Sequence, residues 1–290
     1  MTSAEMDVGK YLSRINFSSS SVPAEPSLPL LRALHTCHLR AVPFEDLTVH
    51  SGGRVHLELP LLYHKIVVQH RGGFCCENNS LFSWLLTQLG FQVTLLSGQV
   101  RNSFTGFYGP PCDHMVLMVC VGGRRWLCDV GFGVPGFSTP LSMETNGPQV
   151  QGHRVYRIRK SEEMHFVEWR GDENRGEDGE WTEIYKFTFA PRCLEDFTEM
   201  CQYHQSSPSS IFFCKSLCTI LKPYGRITYI GRRLITVIFP SEATGGMVET
   251  TTRELQDEEI PAILAEKFGI VLPSTLIPKD DTITPPAVIY

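Results

Sequence analysis

Arg71-Gly72-Gly73-Phe74-Cys75 stands just ahead of SLFSWLLTQL (80–89), an apolar run of helical length that Gly90 stops. If helix begins just after Gly73, Cys75 falls in the first turn. There the helix dipole lowers a thiol pKa and favours the nucleophilic thiolate. The two glycines permit a tight turn that exposes the sulfur. The same segment also reads as a glycine turn into a core helix, with Cys75 and Cys76 as small buried hydrophobes.

A second set of chemically able residues lies on a hairpin. Residues 113–121 and 124–130 read as strands joined by Gly122-Gly123, a two-residue turn signal. Pairing Val121 with Arg124 places Asp129 opposite Val116 and makes His114 its diagonal neighbour, roughly 7–8 Å away between backbones. An aspartate there can hold one imidazole tautomer and leave the other nitrogen for a nucleophile. The alternative is a hydrated, frayed sheet edge. By contrast, GFGVPG (131–136) opens no predicted helix and has no acidic partner in register, so dinucleotide binding is not expected.

Three regions must position these groups. Residues 1–90 are expected to form a helical domain, with helices around 11–15, 27–39, 60–69 and 80–89. Residues 91–190 change to strand periodicity, with runs at 91–100, 113–121, 124–130, 154–158, 165–169 and 181–189. They read as a small antiparallel sheet or barrel, with the charged loop 170–180 between the last two. Residues 191–290 mix both types. A linking helix spans 193–205, a hairpin centres on Ile230-Gly231, a closing helix covers 257–268, and the proline-containing tail from 273 is irregular.

Composition narrows the partners. The chain has 290 residues, 42% hydrophobic, with a formal net charge of −5. It can bury a sizeable core, and it lacks the basic footprint of a nucleic-acid binder. Neither a membrane span nor a polybasic membrane surface is expected. Residues 1–14 carry charges and no apolar core, so a secretory signal is not expected and the 10 cysteines are predicted to be reduced thiols in the cytoplasm. There is no C-x-x-C pair, and His35-x-Cys37-His38 has no matching second half, so no metal site is expected.

In this order along the chain, VPFEDL (42–47), RGGFC (71–75), Asp113-His114, DVGFG (129–133) and SPSS (207–210) resemble the arylamine N-acetyltransferases. The resemblance implies an α+β multi-domain fold: a helical N-terminal domain, an antiparallel β-barrel middle domain and an α/β C-terminal lid, around a papain- or transglutaminase-like Cys-His-Asp core. It implies a triad of Cys75, His114 and Asp129. Phe44, Val100 and Phe132 match positions lining the acceptor pocket, and Glu45 and Arg71 look like the buried ion pair beneath the nucleophile. Tyr203 and Ser209 match coenzyme A contacts. Where several vertebrate relatives carry a Thr-Gly pair before the histidine, this chain has Pro110-Pro111.

The implied activity is ping-pong transfer of acetyl from acetyl-CoA, a co-substrate rather than a tightly bound cofactor, to arylamines, hydrazines or hydroxylamines, as in xenobiotic metabolism. A cysteine hydrolase using the same triad, and a non-catalytic binding protein of the same fold, are the competing readings. Stability of an acetyl-enzyme separates the first from the family reading, and the absence of a low-pKa thiol marks the second.

Overall fold

Short capped helices open the chain. A computed structural model describes residues 6–103, 105–171, 180–241, 244, 246–286 and 288. Helix α1 (Val8–Arg14) starts where the Asp7 carboxylate accepts the Lys10 N–H at 2.7 Å. Helix α2 (Leu28–Ala41) starts at Ser27 and has Pro29 in its first turn. Two further short helices follow, α3 (Leu47–His50) and α4 (Leu59–Tyr63), and α4 widens into a π-type turn through Val68. Helix α5 (Cys75–Gln88) packs Phe82, Leu85 and Leu86 against Leu31, Leu34 and Ile66 to make the first core.

Eight antiparallel strands form the second layer: β2 (Gln92–Val100), β3 (His114–Val121), β4 (Arg124–Cys128), β5 (Leu141–Ser142), β6 (Gln149–Gln151), β7 (Arg154–Ser161), β8 (Met164–Arg170) and β9 (Thr182–Arg192). Their order is β5-β4-β3-β2-β9-β8-β7-β6, and β5 touches β7, so the sheet nearly closes into a barrel. Leu96, Val116, Leu127, Ile158, Val167 and Phe187 fill its interior. The β3–β4 register runs from Val121↔Arg124 to Leu117↔Cys128, the alignment that a Gly122-Gly123 turn dictates. Strand β4 ends at Cys128, one residue before Asp129, not at 130 as the apolar run suggested. Of the loop expected at 170–180, residues 172–179 lie outside the described residues.

The third layer is a five-stranded antiparallel sheet ordered β1-β10-β11-β12-β13, comprising β1 (Phe44–Glu45), β10 (Leu217–Lys222), β11 (Gly225–Ile230), β12 (Arg233–Ile238) and β13 (Glu249–Glu254). Strand β1 belongs to the first region of the chain, so the helical segment and the C-terminal segment share a sheet. The hairpin turn is Gly231-Arg232, one residue later than expected, because Ile230 pairs with Arg233 and Gly231 takes the positive φ of 59°. The linking segment is a 3₁₀ turn (Leu194–Phe197) followed by α6 (Thr198–Ser206); α7 (Ile211–Cys214) comes next. Helix α8 (Ile260–Ile263) widens through Phe268 and stops at Gly269, at φ 71°. Among its described residues the tail beyond 273 carries only an isolated bridge, Asp280 to Lys215, and runs back past His50 and Pro208 to the central cleft.

Candidate active site

Cys75 is the first residue of α5, with Phe74 at the cap. Glu77 sets this start: its carboxylate accepts the Phe74 N–H at 3.1 Å and binds Lys65 Nζ at 2.7 Å. The preceding glycines serve close approach rather than a left-handed turn. A Cβ on Gly72 would lie 1.9 Å from the Pro43 carbonyl oxygen, and one on Gly73 would lie 2.5 Å from Glu77 Cβ. The thiol is buried, and it lines the wall of a cavity of about 390 Å³.

His114 opens β3 and faces the same cavity. Its Nε2 lies 2.6 Å from Asp129 Oδ2, and both side chains are almost fully buried. Asp129 is itself held on every side. Its Oδ1 accepts from Asn79 Nδ2 at 2.9 Å and from the Gly131 N–H at 2.9 Å. The Asn79 oxygen accepts the Val130 N–H, and the Asp129 N–H donates to His35 Nε2 at 3.2 Å. That bond fixes a tautomer: His35 Nε2 accepts, so Nδ1 donates to the Ser138 carbonyl at 3.1 Å. Burial accordingly pushes His35 down to about 4. Asn79 carried no signal in the sequence, and His35 stood out only in a possible metal cluster, since their partners lie 50 and 94 residues away.

With Nε2 committed to Asp129, His114 offers Nδ1 to Cys75. Burial works against the His114 cation, but the Asp129 carboxylate and the Cys75 sulfur together outweigh it and lift the imidazole to about 10. The Cys76 thiol, 3.7 Å from the Cys75 sulfur, donates to it, and His114 and His204 add to that effect. Together they overcome burial and hold the Cys75 thiol well below the ordinary thiol range. Cys76 moves the opposite way, raised by the Cys75 sulfur beside it and by burial. Of the pair, Cys75 is the thiol that ionises more readily, and the arrangement can perform nucleophilic attack on an activated carbonyl.

The other sequence-selected residues fall into two groups. Phe44, Val100, Phe132, Tyr203 and Ser209 all line the 390 Å³ cavity. Glu45 and Arg71 do not. They form a bidentate pair at 2.9 and 2.9 Å underneath, where Glu45 also accepts the Gly72 and Leu47 N–H groups. Arg71→Met would strand a carboxylate with 0% exposure. It is expected to cost about 3–5 kcal/mol, read as a lower urea midpoint, while Glu45→Gln combined with Arg71→Met costs less.

Comparison with known proteins decides the family. The N-acetyltransferase family profile matches residues 27–277. Human arylamine N-acetyltransferase 1 is 34% identical over 290 aligned residues, covering 94% of this chain and 97% of that one. The chicken pineal gland isozyme NAT-10 is 32% identical, with the same coverage. The chain belongs to the arylamine N-acetyltransferase family. The enzyme of this family from Salmonella typhimurium superposes with a TM-score of 0.80 at 27% identity, over 93% of this chain and 92% of that one. The Mycobacterium marinum enzyme in complex with CoA superposes with a TM-score of 0.78 at 28% identity, over 91% and 93%. Family membership accounts for the helical segment, barrel and C-terminal sheet seen here. Among the described residues no helix is long and apolar enough to cross a membrane, and no group of three or more metal-ligating side chains is gathered.

Proposed function

We propose that this chain transfers acetyl from acetyl-CoA to arylamines, hydrazines or hydroxylamines by a ping-pong route through S-acetyl-Cys75. The observation that carries the reading is the 2.6 Å His114–Asp129 contact beside Cys75, the first residue of α5, on a cavity wall. In the first half-reaction the Cys75 thiolate attacks the thioester carbonyl. The new carbon–sulfur bond forms, the bond to the coenzyme A sulfur breaks, and the proton held at His114 Nδ1 goes to the departing thiolate. One thioester replaces another, so the step is close to thermoneutral. In the second, the amine attacks the acetyl-enzyme, His114 takes the amine proton, and the Cys75 thiolate is regenerated.

The cavity walls suit this division. Phe44, Val100 and Phe132 offer apolar and aromatic surface for a flat acceptor, and Phe132 packs edge-on against His114 at 5.4 Å. Tyr203 and Ser209, on the α6–α7 side, are assigned to coenzyme A. All 10 cysteines are free thiols, which suits a reducing cytoplasm. An enzyme mixed with acetyl-CoA alone is expected to release one equivalent of coenzyme A per chain and stop, then resume on addition of an aromatic amine. Continuous release without amine would instead mark a hydrolase, and no release a binding protein.

A further inference from the structure

His204 is a second buried imidazole at the nucleophile, contributed by α6 rather than by the barrel. It is 3% exposed and is clasped between Phe74 and Phe212, with ring centroids 6.0 and 5.0 Å away. Its Nε2 lies 2.9 Å from the carbonyl oxygen of Asp113, and the Cys75 sulfur lies 3.8 Å from that same oxygen. Its Nδ1 lies 3.1 Å from Ser210 Oγ.

These partners settle where the hydrogen sits. A carbonyl oxygen only accepts, so Nε2 carries a hydrogen whatever the charge of the ring. Ser210 Oγ accepts the Phe212 N–H at 3.3 Å, which leaves its hydroxyl hydrogen for His204 Nδ1. His204 is thereby satisfied as a neutral ring with Nε2–H on the Asp113 carbonyl, the oxygen that the Cys75 sulfur also approaches. His114 presents the opposite chemistry, because its Nε2 is spent on Asp129 and its Nδ1 faces Cys75. One imidazole can take the proton of Cys75; the other can only give a hydrogen bond.

We propose that His204 is a further catalytic residue of this acetyl transfer, a fixed Nε2–H donor that stabilises the Cys75 thiolate from the coenzyme A side of the cleft. The proposal rests on the thiol-acylation reading above. His204 lies between Tyr203 and Ser209 in sequence and lines the same cavity, on the wall assigned to coenzyme A. During acetylation the Cys75–carbon bond forms and the coenzyme A sulfur leaves with the proton from His114. His204 neither gains nor loses a proton. As Cys75 becomes a neutral thioester its hydrogen falls back to the Asp113 carbonyl, and in the amine step it again supports the departing Cys75 thiolate. Burial opposes charge on this ring, while the Cys75 thiolate and the Asp113 carboxylate, 3.7 Å away, favour it and raise its pKa.

The test is the rate of iodoacetamide alkylation of Cys75 against pH in wild type, His204→Gln and His204→Leu, with thermal midpoints alongside. A hydrogen bond to a charged sulfur predicts that His204→Leu shifts the thiolate midpoint up by about one pH unit, with about tenfold slower acetylation in single turnover near neutral pH. His204→Gln keeps a side-chain N–H and is expected to shift less. A His204→Leu profile that coincides with wild type, or equal shifts in both variants, overturns the proposal. Should both variants fail to fold, ¹⁵N-histidine NMR titration of wild type and Cys75→Ala decides: loss of the thiolate lowers the His204 midpoint if the bond exists, and an unchanged midpoint rejects it. Neither the alkylation profile nor the NMR titration needs acetyl-CoA, so a failed acetylation reading shows separately, as an intact mass without acetyl.

Discussion

Cys75→Ser is expected to lower turnover by at least roughly 10⁴-fold while leaving the thermal midpoint near that of wild type. The two side chains differ little in size, and the site is built from backbone and neighbours that the change does not touch. The chemistry changes completely. A thiol held well below its ordinary range by Cys76, His114 and His204 ionises far more readily than a serine hydroxyl in the same place, which stays protonated. Amine acetylation by purified variant and wild type checks this. Residual turnover within tenfold of wild type would move the nucleophile elsewhere.

Asp129→Asn is expected to reduce acetylation by roughly 10³–10⁴-fold with a much smaller effect on acetyl-CoA affinity. The amide fits among Asn79, Gly131 and His114, but it no longer stabilises imidazolium, and it favours the wrong tautomer. The sign on pH follows from the directions of the shifts. Asp129 is the first of the groups that lift His114 to about 10, with Cys75 adding to it, so its loss lowers the imidazole, weakens the cation beside the sulfur and raises Cys75. The alkylation midpoint should therefore move upward. Stability follows the same linkage. A raised His114 contributes fully below its ordinary value of 6.5 and loses the contribution as pH rises through about 10. The stability gap between wild type and variant should therefore narrow as pH rises from about 6.5 and be closed above about 10. An unchanged alkylation profile would remove Asp129 from the site.

The hairpin was the most legible part of the site, because a two-glycine turn fixes its register and the register fixes which residues can meet. The start of α5 at Cys75 was legible only conditionally, since the cap is made by Glu77 reaching back three residues. The glycines were read for turn freedom, but they are there because Pro43 and Glu77 approach too closely for a Cβ. Strand β13 left no signal. ETTTRE is exposed at every position, has no apolar alternation, and is a strand because it pairs along β12. Strand β1 is two residues long and exists through Thr219 and Cys218, some 170 positions away. Asn79 and His35 are silent as site residues for the same reason: their partners are distant in sequence. His204 drew no attention in the sequence, although it lies between Tyr203 and Ser209, which the family resemblance matches to coenzyme A contacts; only the fold brings it to Asp113.

The central claim is that one particular sulfur carries the acetyl group, and its neighbour supplies the sharpest control. Consecutive helical residues point about 100° apart, and the two thiols are driven in opposite directions, Cys75 down and Cys76 up. Peptide mapping by mass spectrometry, after brief mixing with acetyl-CoA in the absence of amine, reads the site directly. The account predicts a single acetyl on Cys75 that disappears when an aromatic amine is added. Acetyl on Cys76 with Cys75 unmodified, or an acetyl that amine does not discharge, would contradict it.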